Sequence, residues 1–141
     1  MENRFFFLIN MAQRQIFNFT DAECQKTIEV SVTQAAALMF ISKNDGCSQN
    51  ALSMALNIKK SSITGLISRM KKNDLIVRKP NPDDARSFCL FLSDKGKAKL
   101  PAILTLVTQL NNKITHDFSE DDLTVIARFL NTIETNFSST N

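Results

Sequence analysis

Glycine and proline are scarce in this chain, and that scarcity limits the folds open to it more than any other feature. Its 141 residues include three Gly, three Pro, and no Trp or Tyr. A β-sandwich or barrel needs turn signals about every 8 to 12 residues, and long stretches here have none. We therefore expect a mainly helical protein, and a chain of this length buries enough surface to fold without disulfides or a metal.

Apolar residues recur at intervals of three and four along most of the chain, as they do on one face of a helix. This spacing predicts one long helix from residue 3 to about residue 26. Serine at the N-cap position stabilises the first turn of a helix. Serines in front of apolar segments mark the starts of five further helices: Ser31, Ser48, Ser61 or Ser62, Ser93 and Ser119.

Between the fourth and fifth helices, two short apolar segments flank a loop rich in charged and turn-forming residues. Leu75–Arg78 and Phe88–Leu92 have the composition of strands, and residues 79–86 have that of a loop. The two strands are predicted to form a β-hairpin with a polar tip. The resulting order of elements is that of a winged helix-turn-helix protein, in a mainly α (α+β) fold with helical extensions at both ends.

Charge is distributed unevenly along the chain, although its net value is only +3. Residues 42–100 hold twelve basic and five acidic residues, a net charge of +7, whereas the rest of the chain has a net charge of −4. A concentrated basic segment is typical of proteins that bind a polyanion. The predicted helix-turn-helix and hairpin lie within this basic segment.

Three stretches carry a family resemblance: residues 31–38, the helix-turn-helix at 48–68, and the hairpin with the helix that follows it. Asp84-Ala85-Arg86 is similar to an Asp-x-Arg wing tip, and Leu92-Ser93-Asp94-Lys95-Gly96 to a Leu-Thr-x-x-Gly helix entry. In these features the chain resembles the MarR family of bacterial transcription regulators. The resemblance implies a single domain over residues 1–141, with a DNA-binding lobe at 31–93 and dimerisation helices at 1–28 and 98–141.

The helix after Ser61 is expected to enter the major groove of double-stranded DNA, where Arg69 is the best candidate for a bidentate contact with guanine. Its N-terminus suits phosphates. Arg86 is expected to reach the minor groove, and the resemblance implies that Asp84 orients its guanidinium. The predicted DNA-binding residues are Lys59, Lys60, Ser61, Ser62, Thr64, Ser68, Arg69, Lys72, Arg78, Asp84 and Arg86.

Eight of the eleven Phe lie outside the predicted DNA-binding lobe at 31–93, and a large exposed apolar patch is rare on a soluble monomer. The resemblance implies that the terminal regions intertwine in a two-fold homodimer. Its recognition helices would meet successive major grooves about 34 Å apart, on a pseudo-palindromic operator. The predicted dimerisation residues are Phe5, Phe6, Leu8, Ile9, Phe129, Ile133 and Phe137.

Other functions find little support in the sequence. The single histidine, His116, and the lack of nucleophile or phosphate-binding motifs argue against an enzyme, a cofactor or a metal site. Three cysteines without redox spacing suggest a reducing cytoplasm, and no segment is apolar enough to be a signal peptide or a membrane span. The peroxide-sensing branch of the family has a cysteine where this chain has Phe5–Phe7.

The resemblance alone implies a repressor that a phenolic or other apolar acid releases as an inducer, bound between the dimer helices and the DNA-binding lobe. Two alternatives stay open. One is a winged-helix module that binds a protein through its apolar ends. The other is a redox regulator that uses Cys24, Cys47 or Cys89, which would need a lowered thiol pKa and solvent access.

Overall fold

A computed structural model describes residues 1–138 as six helices and three strands. The helices are α1 (Phe5–Thr27), α2 (Val32–Lys43), α3 (Gln49–Ala55), α4 (Lys60–Lys72), α5 (Asp94–Thr115) and α6 (Glu120–Phe137). The strands are β1 (Cys47–Ser48), β2 (Ile76–Asn81) and β3 (Asp84–Leu92). The predicted winged helix-turn-helix, mainly α with one small sheet, is confirmed.

The chain divides after Thr105 into two units. The first holds α1 to α4, the sheet and the first turns of α5, and the second holds the rest of α5 with α6. The last three residues of the predicted dimerisation segment 98–141 lie outside the described residues. Across residues 1–138, no helix is both long and apolar enough to cross a membrane.

Side-chain caps begin most helices where the sequence places them. Ser31 accepts from the backbone N–H of Gln34 at 3.1 Å, and the Gln34 side chain accepts from the N–H of Ser31 at 3.2 Å. Ser119 and Asp122 form the same reciprocal pair at the start of α6. Ser48 caps α3, and Ser93 accepts from Gly96 N–H at 3.0 Å in the first turn of α5.

The start of α4 differs from the prediction of a serine cap. Lys59 is the N-cap residue, and its side chain makes no capping hydrogen bond. Its carbonyl accepts from the N–H groups of Ser62 and Ile63 at 2.9 and 3.0 Å, so Ser61 and Ser62 already lie within the first turn. Burial of Ile63 fixes the turn that precedes it, and both serine hydroxyls are left on the exposed side of the helix.

The wing strands are longer than predicted, and the predicted loop at 79–86 is mostly strand. β2 and β3 pair antiparallel from Ile76–Leu92 to Asn81–Asp84, so only Pro82 and Asp83 connect them. Pro80 fits because β2 is an edge strand of the β1-β3-β2 sheet, where a missing N–H is tolerated. β1, which pairs with β3 through Cys47 and Ser48, was not predicted.

The core of the first unit lies between α2, α3, α4, the first turns of α5 and the inner face of the sheet. Its most deeply buried large side chains are Leu38, Ile41, Leu52, Ile63, Ile67, Met70, Leu75, Leu90 and Ile103. The same interior fixes one face of α4, because Ile63, Leu66, Ile67 and Met70 are all buried there. The opposite face of α4 is therefore turned to solvent.

A close contact joins the end of α4, the start of the wing and the start of α5. Asp74, which follows the helix, adopts a left-handed conformation with φ of 59°. Its carbonyl accepts the Ser93 hydroxyl at 2.6 Å. A Cβ atom on Gly96 would overlap the carbonyl oxygen of Leu75, so this contact requires glycine at position 96.

Candidate nucleic-acid interface

The outer face of α4 carries short side chains at its centre and cations around them. Ser61, Gly65, Ser68 and Lys72 follow one another at intervals of four, three and four residues, which places them on one side of the helix. The three polar residues among them are exposed, and Gly65 is half-buried. A helix with such a face can approach the floor of a major groove closely.

Arg69 lies beside this central row, and its guanidinium folds back toward Gly65. A Cβ atom built on Gly65 would lie 3.1 Å from Arg69 Nη1. The glycine therefore leaves room for the guanidinium on the outer face. Arg69 is exposed and carries five N–H donors in a rigid fork, the geometry that suits bidentate contact with guanine.

No carboxylate among residues 1–138 forms an ion pair with a basic residue of α4. Across residues 1–138 the ion pairs are Arg4–Glu2, Arg86–Asp84 and His116–Asp117, and none of them involves α4. All five basic side chains at the helix and its N-cap are exposed: Lys59, Lys60, Arg69, Lys71 and Lys72. Uncompensated cations beside a helix N-terminus attract phosphates, because the first-turn N–H groups point outward as well.

Thr64 lies on the flank of α4 that faces α3. Its Oγ1 accepts a hydrogen bond of 3.0 Å from Nε2 of Gln49, the first residue of α3. Both side chains are at or near the surface. This bond connects the two helices of the helix-turn-helix on the side that faces solvent.

The wing tip presents Arg86 to solvent. Its side chain is 95% exposed, and its Nε lies 3.8 Å from Oδ1 of Asp84. The same carboxylate oxygen accepts from the backbone N–H of Arg86 at 3.0 Å. An exposed ion pair contributes little stability, so its main effect is to limit the directions in which the guanidinium can point.

Comparisons with known proteins agree with this geometry. The model of the MarR family matches residues 28–87, which hold α2, α3, α4 and most of the wing. BilQ, an HTH-type transcriptional regulator of Clostridioides difficile, is 29% identical over 112 residues, which cover 79% of this chain and 76% of that protein. Residues 28–87 therefore match the MarR family, and most of the chain is similar to a regulator protein.

Solved structures of similar proteins extend the likeness over most of the chain. A probable transcriptional regulator from Pseudomonas aeruginosa is 27% identical, with a TM-score of 0.76 over 89% of this chain and 96% of that one. The transcriptional repressor CouR, solved bound to a 23-mer DNA duplex, is 26% identical, with a TM-score of 0.80 over 90% of this chain and 89% of that one. The MarR family is one of DNA-binding transcriptional regulators.

Most of the DNA-binding residues predicted from the sequence lie on two surfaces, the exposed side of α4 and the wing tip. Arg78 differs from the others because it lies in the middle of β2. Its guanidinium stacks 4.8 Å from the ring centre of Phe88, and its Nε is buried without a hydrogen-bond partner in the described residues. Arg78 therefore rests against the hairpin, and its contact with DNA stays a prediction.

The sequence analysis missed Gln49 and Lys71 as members of this MarR-type surface. Gln49 follows the capping serine Ser48, which signals a helix start but not the role of the Gln49 side chain. Its partner is fifteen residues away, and no periodicity in the sequence connects the two. Lys71 belongs to the exposed basic set of α4, and its charge alone was a sufficient signal.

Cys24 and Cys47 lack the features of a MarR-type thiol sensor. Burial raises the pKa of Cys24, and the nearby carboxylates of Asp21 and Glu23 raise it further. Burial also raises the pKa of Cys47, and no disulfide involves Cys24, Cys47 or Cys89 within residues 1–138. A reactive thiol needs a lowered pKa and solvent access, so the structure does not favour a redox switch at Cys24 or Cys47.

Apolar side chains are exposed at both ends of the described chain. In α1, Phe6 is 71% exposed, and Phe5 and Leu8 are exposed as well. In α6, which buries no residue, Phe137 is 83% exposed. The other predicted dimerisation residues are the half-buried Ile9 and Ile133 and the exposed Phe129.

Proposed function

We propose that this protein is a homodimeric repressor of the MarR family that binds a pseudo-palindromic operator in double-stranded DNA. The observation that carries the proposal is the outer face of α4, where small side chains lie among five exposed basic residues that form no ion pair with a carboxylate of the described chain. A polyanion is the partner that such a face fits best. The likeness to CouR, a repressor solved on a DNA duplex, supports both DNA as the partner and repression as the outcome.

In this proposal each group of residues has its own role on the duplex. Arg69 reads guanine in the major groove, together with Thr64, Ser68 and Lys72 on the same helix. The first turn of α4, with Lys59, Lys60, Ser61 and Ser62, holds phosphates. Arg86 enters the adjacent minor groove, Asp84 orients its guanidinium, and Arg78 contacts the backbone beside the wing.

The exposed apolar surface at the two ends supports dimerisation as part of this proposal. Phe6 and Phe137 cost free energy when left in water, since each apolar Å² contributes about 25 cal/mol when buried. A second copy of the chain can cover α1 and α6 through the predicted dimerisation residues. Sedimentation equilibrium tests this point: we expect a dimer for wild-type protein and a monomer for Phe6→Asp, whereas a monomeric wild type would contradict it.

Release from DNA is proposed to occur through an apolar or phenolic acid. A groove of about 640 Å³ opens between α1, the segment that follows it, and α4, and both Phe17 and Arg69 line it. A ligand bound beside Arg69 in this groove, which Asp21 and Glu29 also line, would compete with the DNA for the guanidinium. Such a ligand releases the protein from its operator only to the extent that it binds the DNA-free protein more tightly than the DNA-bound protein.

Equilibrium binding to DNA tests the main proposal. The probe is the duplex that wild-type protein enriches from a randomised pool, measured by fluorescence anisotropy at two salt concentrations. We expect weaker binding at high salt, since bound cations displace counterions. Arg69→Ala is expected to cost about 1–3 kcal/mol, and Arg128→Ala, an exposed arginine of α6, little.

Two outcomes would contradict the proposal. One is the absence of any enriched duplex, which would favour a winged-helix module that binds a protein instead. The other is equal binding by the Arg69→Ala and Arg128→Ala variants. The second result would show that DNA is bound by a surface other than α4.

A further inference from the structure

The bond between Gln49 and Thr64 gives the threonine an unusual hydrogen-bonding state. Gln49 Nε2 donates to Thr64 Oγ1 at 3.0 Å, across the gap between α3 and α4. Thr64 is exposed in the second turn of α4, and Gln49 is half-buried at the start of α3. The bond therefore lies at the edge of the surface that we assign to DNA.

Seven other threonines in the helices behave differently. Each donates its hydroxyl proton to the carbonyl oxygen four residues earlier, at distances from 2.6 to 3.1 Å. This arrangement is common for threonine within a helix. The residues that follow it here are Thr20, Thr27, Thr105, Thr115, Thr124, Thr132 and Thr135.

Thr64 has the same choice, since Lys60 supplies a carbonyl four residues earlier, yet it does not make that bond. Instead its oxygen accepts from Gln49, and no acceptor among residues 1–138 receives its proton. A hydroxyl group has one donor and two acceptor lone pairs. With one lone pair occupied by the Gln49 amide, the group is left with an O–H donor at the surface.

We infer that Gln49 is a positioning residue for DNA recognition, which holds Thr64 as a hydrogen-bond donor to an acceptor atom of the DNA. The acceptor is a phosphate oxygen or an acceptor on a base edge, such as guanine O6 or thymine O4. The amide of Gln49 acts through Thr64 and need not touch the DNA. This inference rests on the proposed function and adds to it a residue outside α4.

A double-mutant cycle on the selected duplex tests the coupling. Thr64→Val removes the hydroxyl at nearly constant shape, and Gln49→Ala removes the amide that orients it. Each is expected to weaken binding about 3- to 10-fold, the range of one hydrogen bond. The double variant is expected to be no weaker than Thr64→Val alone, because both changes remove the same contact.

Asn50→Ala serves as the matched control. Asn50 is the next residue of α3, is exposed, and contacts only Met54 of its own helix through its side-chain amide. Its removal is expected to leave the affinity unchanged. Thermal midpoints of all variants are expected to agree within about 2 °C, because a surface substitution changes stability by no more than about 0.5 kcal/mol.

A second variant tests the direction of the hydrogen bond. The carboxylate in Gln49→Glu can only accept, so it would take the Thr64 proton for itself. We expect this variant to lose more affinity than Asn50→Asp, which adds the same charge one residue away. In a Thr64→Val background the difference between the two acidic variants is expected to disappear.

A mixed-sequence duplex distinguishes the two kinds of acceptor. If Thr64 donates to a phosphate, Thr64→Val weakens binding to both duplexes by the same factor, and if it donates to a base, the loss is confined to the selected duplex. Additive effects of Gln49→Ala and Thr64→Val, or a Gln49→Ala variant that binds like wild type, would overturn the inference. Failure of the wild-type protein to bind any duplex would instead overturn the proposed function.

Discussion

Replacing Gly96 with alanine is expected to destabilise the protein, although alanine is the better helix former. Gly96 is the third residue of α5 and is buried. An added Cβ would overlap the backbone oxygen of Leu75 and approach Leu38 Cδ2 at 3.3 Å. Because backbone cannot swing aside as a side chain does, either the root of the wing or the start of α5 must move.

The size of the effect follows from two opposing contributions. Overfilling a packed interior costs about 1–3 kcal/mol, and the alanine recovers at most about 1 kcal/mol of helix propensity. With a backbone atom in the way, the upper part of that range applies, so we expect a net loss of about 2 kcal/mol. A chain of this length has an unfolding entropy of about 0.3 kcal/mol/K, so the midpoint falls by about 7 °C.

Thermal unfolding followed by circular dichroism measures this change, and Gly65→Ala is the matched control. At Gly65 the new Cβ meets only the far end of the Arg69 side chain, at 3.1 Å from Nη1. We expect Gly65→Ala to raise the midpoint by about 3 °C through helix propensity, and to weaken DNA binding because Arg69 must move. A midpoint for Gly96→Ala equal to or above that of wild type would refute this account of the wing contact.

Two further substitutions and one labelling experiment test separate parts of the structure. Arg86→Ala is expected to weaken duplex binding by about 1–3 kcal/mol, and an unchanged affinity at matched salt would remove the wing tip from the mechanism. Lys99→Met removes the ammonium that donates to the Ile28 carbonyl at 2.7 Å at the end of α1. Loss of this hydrogen bond should lower the free energy of unfolding, measured by urea titration, by about 1 kcal/mol. An unchanged urea midpoint would refute the stabilising role of this bond. Since burial raises the pKa of Cys24 and Cys47, their thiolate fraction at pH 7 is below that of free cysteine, so iodoacetamide should label both more slowly than free cysteine; faster labelling would contradict this expectation.

Local signals in the sequence predicted most helix boundaries. A serine cap with its partner three residues later depends on neighbours alone, which is why Ser31, Ser48, Ser93 and Ser119 begin their helices as expected. The start of α4 was placed too late because Ser61 resembles a cap in sequence. Lys59 caps with its backbone only, and nothing in its side chain signals that role.

Contacts between distant residues account for what the sequence did not reveal. The ends of β2 and β3 depend on their mutual pairing as far as Asn81 and Asp84. Strands predicted from the propensity of single residues were therefore too short. β1 has two residues and no strand signal, and it exists because it pairs with β3. At the interface, the outward residues of α4 followed from helix periodicity, but the bond from Gln49 required the fold.

Footprinting on the enriched duplex tests the central claim most directly, that two copies of α4 and of the wing hold one operator. Hydroxyl-radical cleavage is measured with and without wild-type protein. We expect two protected segments related by symmetry, with centres one helical turn (about 10–10.5 base pairs) or a multiple of it apart, and weaker flanking protection with Arg86→Ala. A single protected segment would contradict the two-fold arrangement, and flanks unchanged by Arg86→Ala would contradict the role of the wing.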